Sequence, residues 1–410
     1  MKERIAIVDG LRTPFAKAGG PLARMSADDL GTVAVRELMA RCPVDPNDLD
    51  ELIMGNVAQP GDAANIARVI ALKAGLRQDM PAYTVHRNCA SGMEAITTAA
   101  NKILAGEADV ICCGGTESMS NLPLMYNRRA VGWFMRLAKA RTVGAKVGAF
   151  AGTPVGALMD PIIGVKIGLT DPVCGLNMGQ TAEVLAREFT VTREEQDAFA
   201  LQSHQRACAA QESGALGDEI IPIPVGPDYK TVMEADDGPR PQQSMQALAK
   251  LKPVFDRVAG TVTAGNACPL TDGAVAMLVM TESTAKERGL EPLGYLSAYS
   301  YAALDGSRMG LGPVYATAKL LAKTHTDLAS YDRIELNEAF AAQILACGRA
   351  FESEAFARKY LDRTNAIGSF DYDKVNVNGG AIALGHPVGA TGAQQHLDFS
   401  TQASRKYGNS

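Results

Sequence analysis

Over its first 118 residues the chain alternates apolar, strand-like runs with helical stretches, and that alternation restricts the fold more than any bulk property. Residues 4–9, 49–56 and 108–113 read as strands. Residues 26–40, 63–74 and 90–105 read as helices, the first opened by a Ser26 cap with Asp28 and Asp29 in its first turn. A βαβα order predicts a mostly parallel sheet covered by helices. The rhythm returns after about residue 272, with strands at 274–281 and 293–301 and a helix at 313–324. A strand at 332–337 then leads into a helix at 339–351. Segments 48–56 and 331–337 echo one another, each placing an apolar strand before an asparagine, Asn56 or Asn337. The echo suggests two related halves, although any two βα units look alike at this level.

The stretch between differs in character. Helices are clear at 178–189 and 193–212, with Thr192 capping the second ahead of Glu194 and Glu195. The expected organisation is a first half at 1–118 with part of 251–272, an inserted domain at 119–250, and a second half at 273–410. Residues 126–159 carry Arg128, Arg129, Arg136, Lys139, Arg141 and Lys146 with no Asp or Glu. Trp133, Phe134, Met135, Leu137 and Val143 are interleaved with them. Such a stretch suits an amphipathic helix on an anionic membrane or a partner, a basic rim for an anionic substrate, or a solvated helix.

The formal charge of -5 gives no general case for nucleic-acid binding. Eight cysteines show no zinc or disulfide spacing, and the adjacent Cys112 and Cys113 read as small buried side chains. That usage suits a reducing compartment, so a cytoplasmic location is expected. The N-terminus reads as an immediate strand without a signal region. No run of 18 or more apolar residues predicts a spanning helix.

Two motifs carry candidate chemistry. In His86-Arg87-Asn88-Cys89-Ala90-Ser91-Gly92-Met93-Glu94 a cysteine stands where a strand turns into a helix. Unpaired N–H groups and the helix dipole there would favour a thiolate; the alternative is an inert buried thiol. The second motif is a loop, with His386 among Gly379, Gly380, Gly385, Gly389 and Gly392. An imidazole is the natural base for a thiol near neutral pH, although a lone loop histidine is more often structural. Asn337-Glu338-Ala339-Phe340 ends a strand and starts a helix. Asn337 either caps that helix or fixes a water that donates to a developing oxyanion.

The chain resembles the thiolase family of acetyl-CoA acetyltransferases and 3-ketoacyl-CoA thiolases. The matching segments include Arg12-Thr13-Pro14-Phe15, Asn88-Cys89-Ala90-Ser91-Gly92, Gly114-Gly115-Thr116-Glu117-Ser118-Met119-Ser120 and Met178-Gly179-Gln180-Thr181-Ala182-Glu183. Thr263-Ala264-Gly265-Asn266-Ala267, Asn337-Glu338-Ala339-Phe340 and Gly385-His386-Pro387 follow in family order. The resemblance implies a five-layer αβαβα fold of two similar halves with an inserted loop domain. It implies that Cys89 accepts the acyl group, that His386 activates that thiol, and that Asn337 holds an oxyanion-hole water. Met178, Ala264, Cys268, Met309 and Phe340, together with Gly380, match positions for the acyl-CoA substrate; Cys268 stands where a serine is common. No metal or redox cofactor is implied, since coenzyme A is a substrate. A homodimer or homotetramer is implied, and 126–159 looks most like the loop domain of β-subunits that pair with a hydratase/dehydrogenase α-subunit. A ketoacyl-synthase-type condensing enzyme would need a different histidine arrangement.

One departure stands out. Thiolases usually carry a Cys-x-Gly motif after the Gly-His-Pro loop, and this sequence has no cysteine after Cys347. Cys347 is a poor substitute, and Arg405-Lys406-Tyr407-Gly408 reads as a turn toward a further strand. The sequence reads either as a truncated piece of an ordinary thiolase or as a degenerate paralogue; the expectation for the 410-residue form is an enzyme that acylates Cys89 but turns over slowly or not at all, with an impaired paralogue or fragment serving as an acyl-CoA-binding or scaffold subunit as the alternative.

Overall fold

The computed structural model describes residues 3–407 and divides into two compact units, Leu122–Met178 and the remainder of the chain. In the larger unit the first elements are β1 (Ile5–Arg12), β2 (Ala16–Lys17), α1 (Ala27–Arg41), β3 (Glu51–Gly55), α2 (Ile66–Lys73), β4 (Ala82–Val85), α3 (Ser91–Leu104) and β5 (Val110–Ser118). The smaller unit contains β6 (Leu124–Met125), α4 (Arg128–Lys139), α5 (Val143–Ala151), α6 (Val155–Leu158), β7 (Ile162–Ile163) and α7 (Gly164–Gly168). The chain then forms α8 (Met178–Glu188), α9 (Arg193–Glu212), the hairpin β8 (Ile223–Val225) and β9 (Thr231–Met233), and α10 (Met245–Ala249). Strand β10 (Thr271–Thr281), α11 (Glu282–Glu287), β11 (Gly294–Leu296) and α12 (Gly312–Thr324) follow. The last helices are α13 (Ala341–Glu352), α14 (Glu354–Tyr360), α15 (Ala381–Leu384) and α16 (Thr391–Tyr407).

Local signals act as the sequence suggests. Ser26 caps α1 by accepting from Asp29 N at 3.3 Å, and Thr192 with Glu195 closes a capping box on α9. Cys112 and Cys113 are fully buried in β5.

The sheet is ordered β11-β1-β10-β5-β3-β4, with β2 beside β10. It is mixed rather than mostly parallel: β3 runs parallel to β4 and β5, whereas β10 is antiparallel to both β1 and β5. Residues 274–281, expected in the second half, therefore complete the first sheet, with Ile5 opposite Thr281. Helices α1 and α2 cover one face, where Leu30, Val35 and Ile70 pack with Leu52 and Leu278. Helices α3 and α16 cover the other, where Ile96 and Leu397 pack with Ile53 and Val279.

The remaining core gathers Leu185, Phe199, Leu311, Ile344 and Phe351 from α8, α9, α13 and the 3-10 turn Gly306–Leu311. Helices α8 and α9 thus bury their apolar faces within the larger unit, so residues 179–250 are not part of the smaller one. The expected strand at 332–337 is reduced to one parallel bridge, Ile334 to Val375. Arg405 to Tyr407, read as a turn, continue α16, and Gly408 lies outside the described residues.

The halves do share a device. Two buried carboxylates each accept from an asparagine side chain and from backbone N–H, three such groups at Glu117 and one at Glu338. Glu117 accepts from Asn56, Val57, Ala58 and Gly389, and Glu338 accepts from Asn376 and Ile382.

Candidate active site

Cys89 lies in a tight turn between β4 and α3. Asn88 takes a left-handed φ of 47°, which asparagine tolerates. Ala90 N donates to Arg87 O and Ser91 N to Asn88 O, each at 3.0 Å. The Ser91 hydroxyl pins the turn, accepting from Arg87 N at 2.8 Å and donating to Asn88 O at 2.7 Å. Ala90 is the N-cap of α3, so Cys89 precedes the helix rather than opening it. Burial pushes its thiol up to about 11, opposed by a backbone hydrogen bond and reinforced by the Glu117 charge. Burial thus favours the neutral thiol over the thiolate that the helix end suggested.

His386 is 4% exposed, and its backbone N–H donates to Thr271 Oγ1 at 3.0 Å. Its Nδ1 lies 2.7 Å from Thr391 Oγ1, and that hydroxyl donates to Pro387 O at 3.1 Å. With the hydroxyl proton so committed, Nδ1–H must be the donor to Thr391, and Nε2 carries the lone pair; this tautomer is assigned from the network. Asn337 Nδ2 donates to that Nε2 at 3.3 Å. Burial lowers the imidazole to about 4, so it is neutral at physiological pH. Asn337 Oδ1 is buried without a protein partner, an open acceptor beside the imidazole suited to an ordered water.

The loops carrying Cys89 and His386 meet through close backbone packing. A Cβ on Gly92, in the first turn of α3, would fall 2.6 Å from Ala393 N in α16. A Cβ on Gly115 in β5 would fall 2.0 Å from Gly389 O. Only glycine permits these approaches. Glu117, buried and raised to about 7 chiefly by desolvation, ties β5 to Gly389 at 3.1 Å and to Val57 at 3.0 Å. Glu117→Gln is expected to lower stability by about 2–3 kcal/mol, because an amide presents an N–H to donors that need an acceptor. Thermal unfolding checks this; an unchanged midpoint would show that the clamp carries no weight.

The substrate candidates divide. Cys268, half-buried, donates its backbone N–H to Ala339 O at 3.1 Å, two residues from Leu270, which bridges to His386. Burial first, then the Cys89 charge, pushes the Cys268 thiol up to about 12. Phe340 bridges to Ala267 and sets its ring edge-on to Phe255 at 5.9 Å. Ala264 is exposed, three residues before Ala267, and Met309 is 37% exposed in its 3-10 turn. Gly380 faces inward: a Cβ there would lie 2.2 Å from the Glu338 carboxyl carbon, which accounts for the glycine by packing. Met178 ends the smaller unit. Thr391 and Glu117 lay inside motifs already singled out, but no role could be read for either without a partner in space. The described residues contain no His, Cys, Asp and Glu group able to hold a metal ion.

Residues 5–283 match the family model "Thiolase, N-terminal domain" and residues 290–409 the model "Thiolase, C-terminal domain". The boundary falls after β10, as the sheet requires. A 3-ketoacyl-CoA thiolase of Serratia proteamaculans is 44% identical over 407 residues, 99% of this chain and 92% of that protein. Among solved structures, the Bacillus anthracis acetyl-CoA acetyltransferase superposes with a TM-score of 0.85 at 36% identity, covering 99% of this chain and 93% of that one. Human mitochondrial 3-ketoacyl-CoA thiolase in complex with CoA gives 0.83 at 37% identity, covering 98% and 92%.

Proposed function

The chain belongs to the thiolase family and is an acyltransferase of that type, and we propose that it cleaves 3-ketoacyl-CoA with coenzyme A through an acyl-Cys89 thioester. The observation that carries the residue assignment is the fixed His386 tautomer, which puts the lone pair on Nε2, where it accepts from Asn337 Nδ2 and can take a proton once that hydrogen bond is given up. Nε2 takes the Cys89 proton as sulfur bonds to the 3-keto carbon. The protonated imidazole then donates to the oxygen gaining charge, helped by a water on Asn337. The bond between C2 and C3 breaks as the C3 carbonyl re-forms, its electron pair passes to C2, and the proton taken from Cys89 returns from Nε2 to C2 to complete acetyl-CoA. The thiol of coenzyme A next gives its proton to Nε2 and attacks the acyl-Cys89 carbonyl; the bond from that carbon to the Cys89 sulfur breaks, the sulfur takes the proton from Nε2, and a shortened acyl-CoA leaves. Run backwards from two acetyl-CoA, the same steps give acetoacetyl-CoA.

The curated relatives favour the degradative direction, since they are named 3-ketoacyl-CoA thiolases. Similarity to named enzymes along 99% of the chain, with Cys89, Asn337 and His386 all present, counts against a non-catalytic scaffold. The same reading gives a cytoplasmic homodimer or homotetramer with a hydratase/dehydrogenase α-subunit as partner; light scattering with and without that partner tests it. No described helix is long and apolar enough to cross a membrane.

Incubation with coenzyme A and a chain-length series of 3-ketoacyl-CoA esters should yield acetyl-CoA and the matching shortened acyl-CoA. Absence of cleavage at every chain length would overturn the reading. Asn337→Ala should lower kcat by about a hundredfold or more, the usual loss for one oxyanion-hole donor. KM should change little; a raised KM with normal kcat would assign Asn337 to binding instead.

A further inference from the structure

We propose that Glu117 and Glu338 are positioning residues for thiolysis: together they hold the two ends of the His386 loop and so fix its Nε2 against Cys89 and Asn337. The proposal rests on the assignment of His386 as the base. The loop between α15 and α16 is attached on each side of the imidazole. Ahead of it, Ile382 N in the first turn of α15 donates to Glu338 Oε2 at 3.2 Å. Beyond it, Gly389 N donates to Glu117 Oε2 at 3.1 Å. Between the two, the His386 N–H donates to Thr271 Oγ1. Every residue from 381 to 390 is buried. A partner lost there is replaced by water only if the loop opens.

Each carboxylate also reaches from this loop to the segment that carries another catalytic side chain. Glu338 follows Asn337 directly in the chain. Its Oε1 accepts from Asn376 Nδ2 at 2.9 Å, and Asn376 Oδ1 accepts from Leu336 N at 2.8 Å, on the other side of Asn337. Glu117 accepts from Asn56 Nδ2, Val57 N and Ala58 N at 3.2, 3.0 and 3.1 Å. Gly55, next to Asn56, packs on the nucleophile turn: a Cβ there would fall 2.5 Å from the Ser91 carbonyl carbon. Glu117 thus joins the His386 loop to the Cys89 turn, and Glu338 joins it to Asn337.

The attachments call for acceptor oxygens on both sides of each group. Every hydrogen bond described for either is donated to it, four at Glu117 and three at Glu338. An amide presents N–H on one side and meets at least one of those donors in either orientation. Burying a carboxylate is unfavourable unless its lone pairs are met, and apolar side chains close a core without that penalty. A role in filling the core leaves two such groups unexplained. Their placement at the two ends of one catalytic loop accounts for both.

Steady-state thiolysis by Glu117→Gln and by Glu338→Gln, assayed well below their unfolding midpoints, tests this. In each, kcat should fall by about a hundredfold, the scale of an ångström-level misplacement, with KM nearly unchanged. The acid limb of kcat/KM should also move up from near 4 toward 6.5, since burial is what holds the imidazole down and a loosened loop admits water. A destabilised control, Leu30→Ala in the core beneath α1, should keep both kcat and the acid limb of the wild type. Ser203→Ala removes one donor to Glu338 without touching a charge and should lower kcat about fivefold. Normal kcat with an unmoved acid limb in both glutamate variants would overturn the proposal. So would an equal loss in Leu30→Ala, which would make the carboxylates supports of the fold and nothing more. A raised KM with normal kcat would also overturn it and put them on the substrate. Should neither glutamate variant fold, Ser203→Ala decides, and a wild-type kcat there overturns the proposal. NMR titration of His386 in the ligand-free protein separates this test from that of the enzymatic reading. The shift toward 6.5 is expected in either glutamate variant even if the wild type cleaves no ester, and its absence in both would overturn the positioning role.

Discussion

Cys89→Ala is expected to lower kcat by about six orders of magnitude, the scale on which loss of a covalent nucleophile is felt. Of the other thiols, Cys42, Cys112, Cys113 and Cys347 are buried, and Cys268, pushed up to about 12 by burial and then by the Cys89 charge, is raised further than Cys89 itself. Intact-mass spectrometry after brief exposure to acetyl-CoA should find one acetyl group on the wild-type chain and none on the variant. An adduct that persists without Cys89 would end the proposed chemistry. The thiol's own titration is equally telling. Because burial raises it to about 11, alkylation of the free enzyme should keep accelerating with pH through 9 and 10. A plateau below pH 8 would mean a resting thiolate and restore the simpler picture of a helix-activated sulfur.

That difference shows which features a sequence exposes. The Ser26 and Thr192 caps were legible because each is satisfied within three residues of itself. The approach of the loops that carry Cys89 and His386 was legible because the backbone around them needs glycine. The protonation state of Cys89 was not legible, since it depends on burial and on Glu117 in another strand. Strand β10 was assigned to the wrong half for a related reason. Its apolar run reads the same in any sheet, and only pairing with β1, at the far end of the chain, fixes its place. The inserted domain was drawn too long because a helix signal does not say which core the helix faces, and here α8 and α9 share a core with Ile344 and Leu311. The His386 tautomer needed Thr391 and Pro387 in three dimensions, because a hydroxyl proton has no signature in a sequence.

His386→Ala should cost about four orders of magnitude in kcat/KM, since one side chain serves as base toward Cys89 and as donor to the oxyanion. The loss should exceed that of Asn337→Ala, which removes only the donor to Nε2 and the anchor of a water. In the wild-type enzyme the acid limb of kcat/KM should lie near pH 4 rather than 6.5, because burial disfavours the imidazolium in the free enzyme. The same shift links to folding. With a folded pKa lowered from 6.5 to about 4, the unfolded chain takes up a proton first as pH falls, so stability is lost between those values, by about 3 kcal/mol for this one group. His386→Ala removes that term. Its stability relative to wild type should therefore improve as pH drops from 6.5 toward 4, even while catalysis is gone. Denaturant midpoints of the two proteins across that range measure the difference directly. Parallel pH curves would mean that His386 takes up its proton in the folded state as readily as in the unfolded one. The acid limb would then move to near 6.5, and the free lone pair on Nε2 would no longer describe the resting enzyme below that pH.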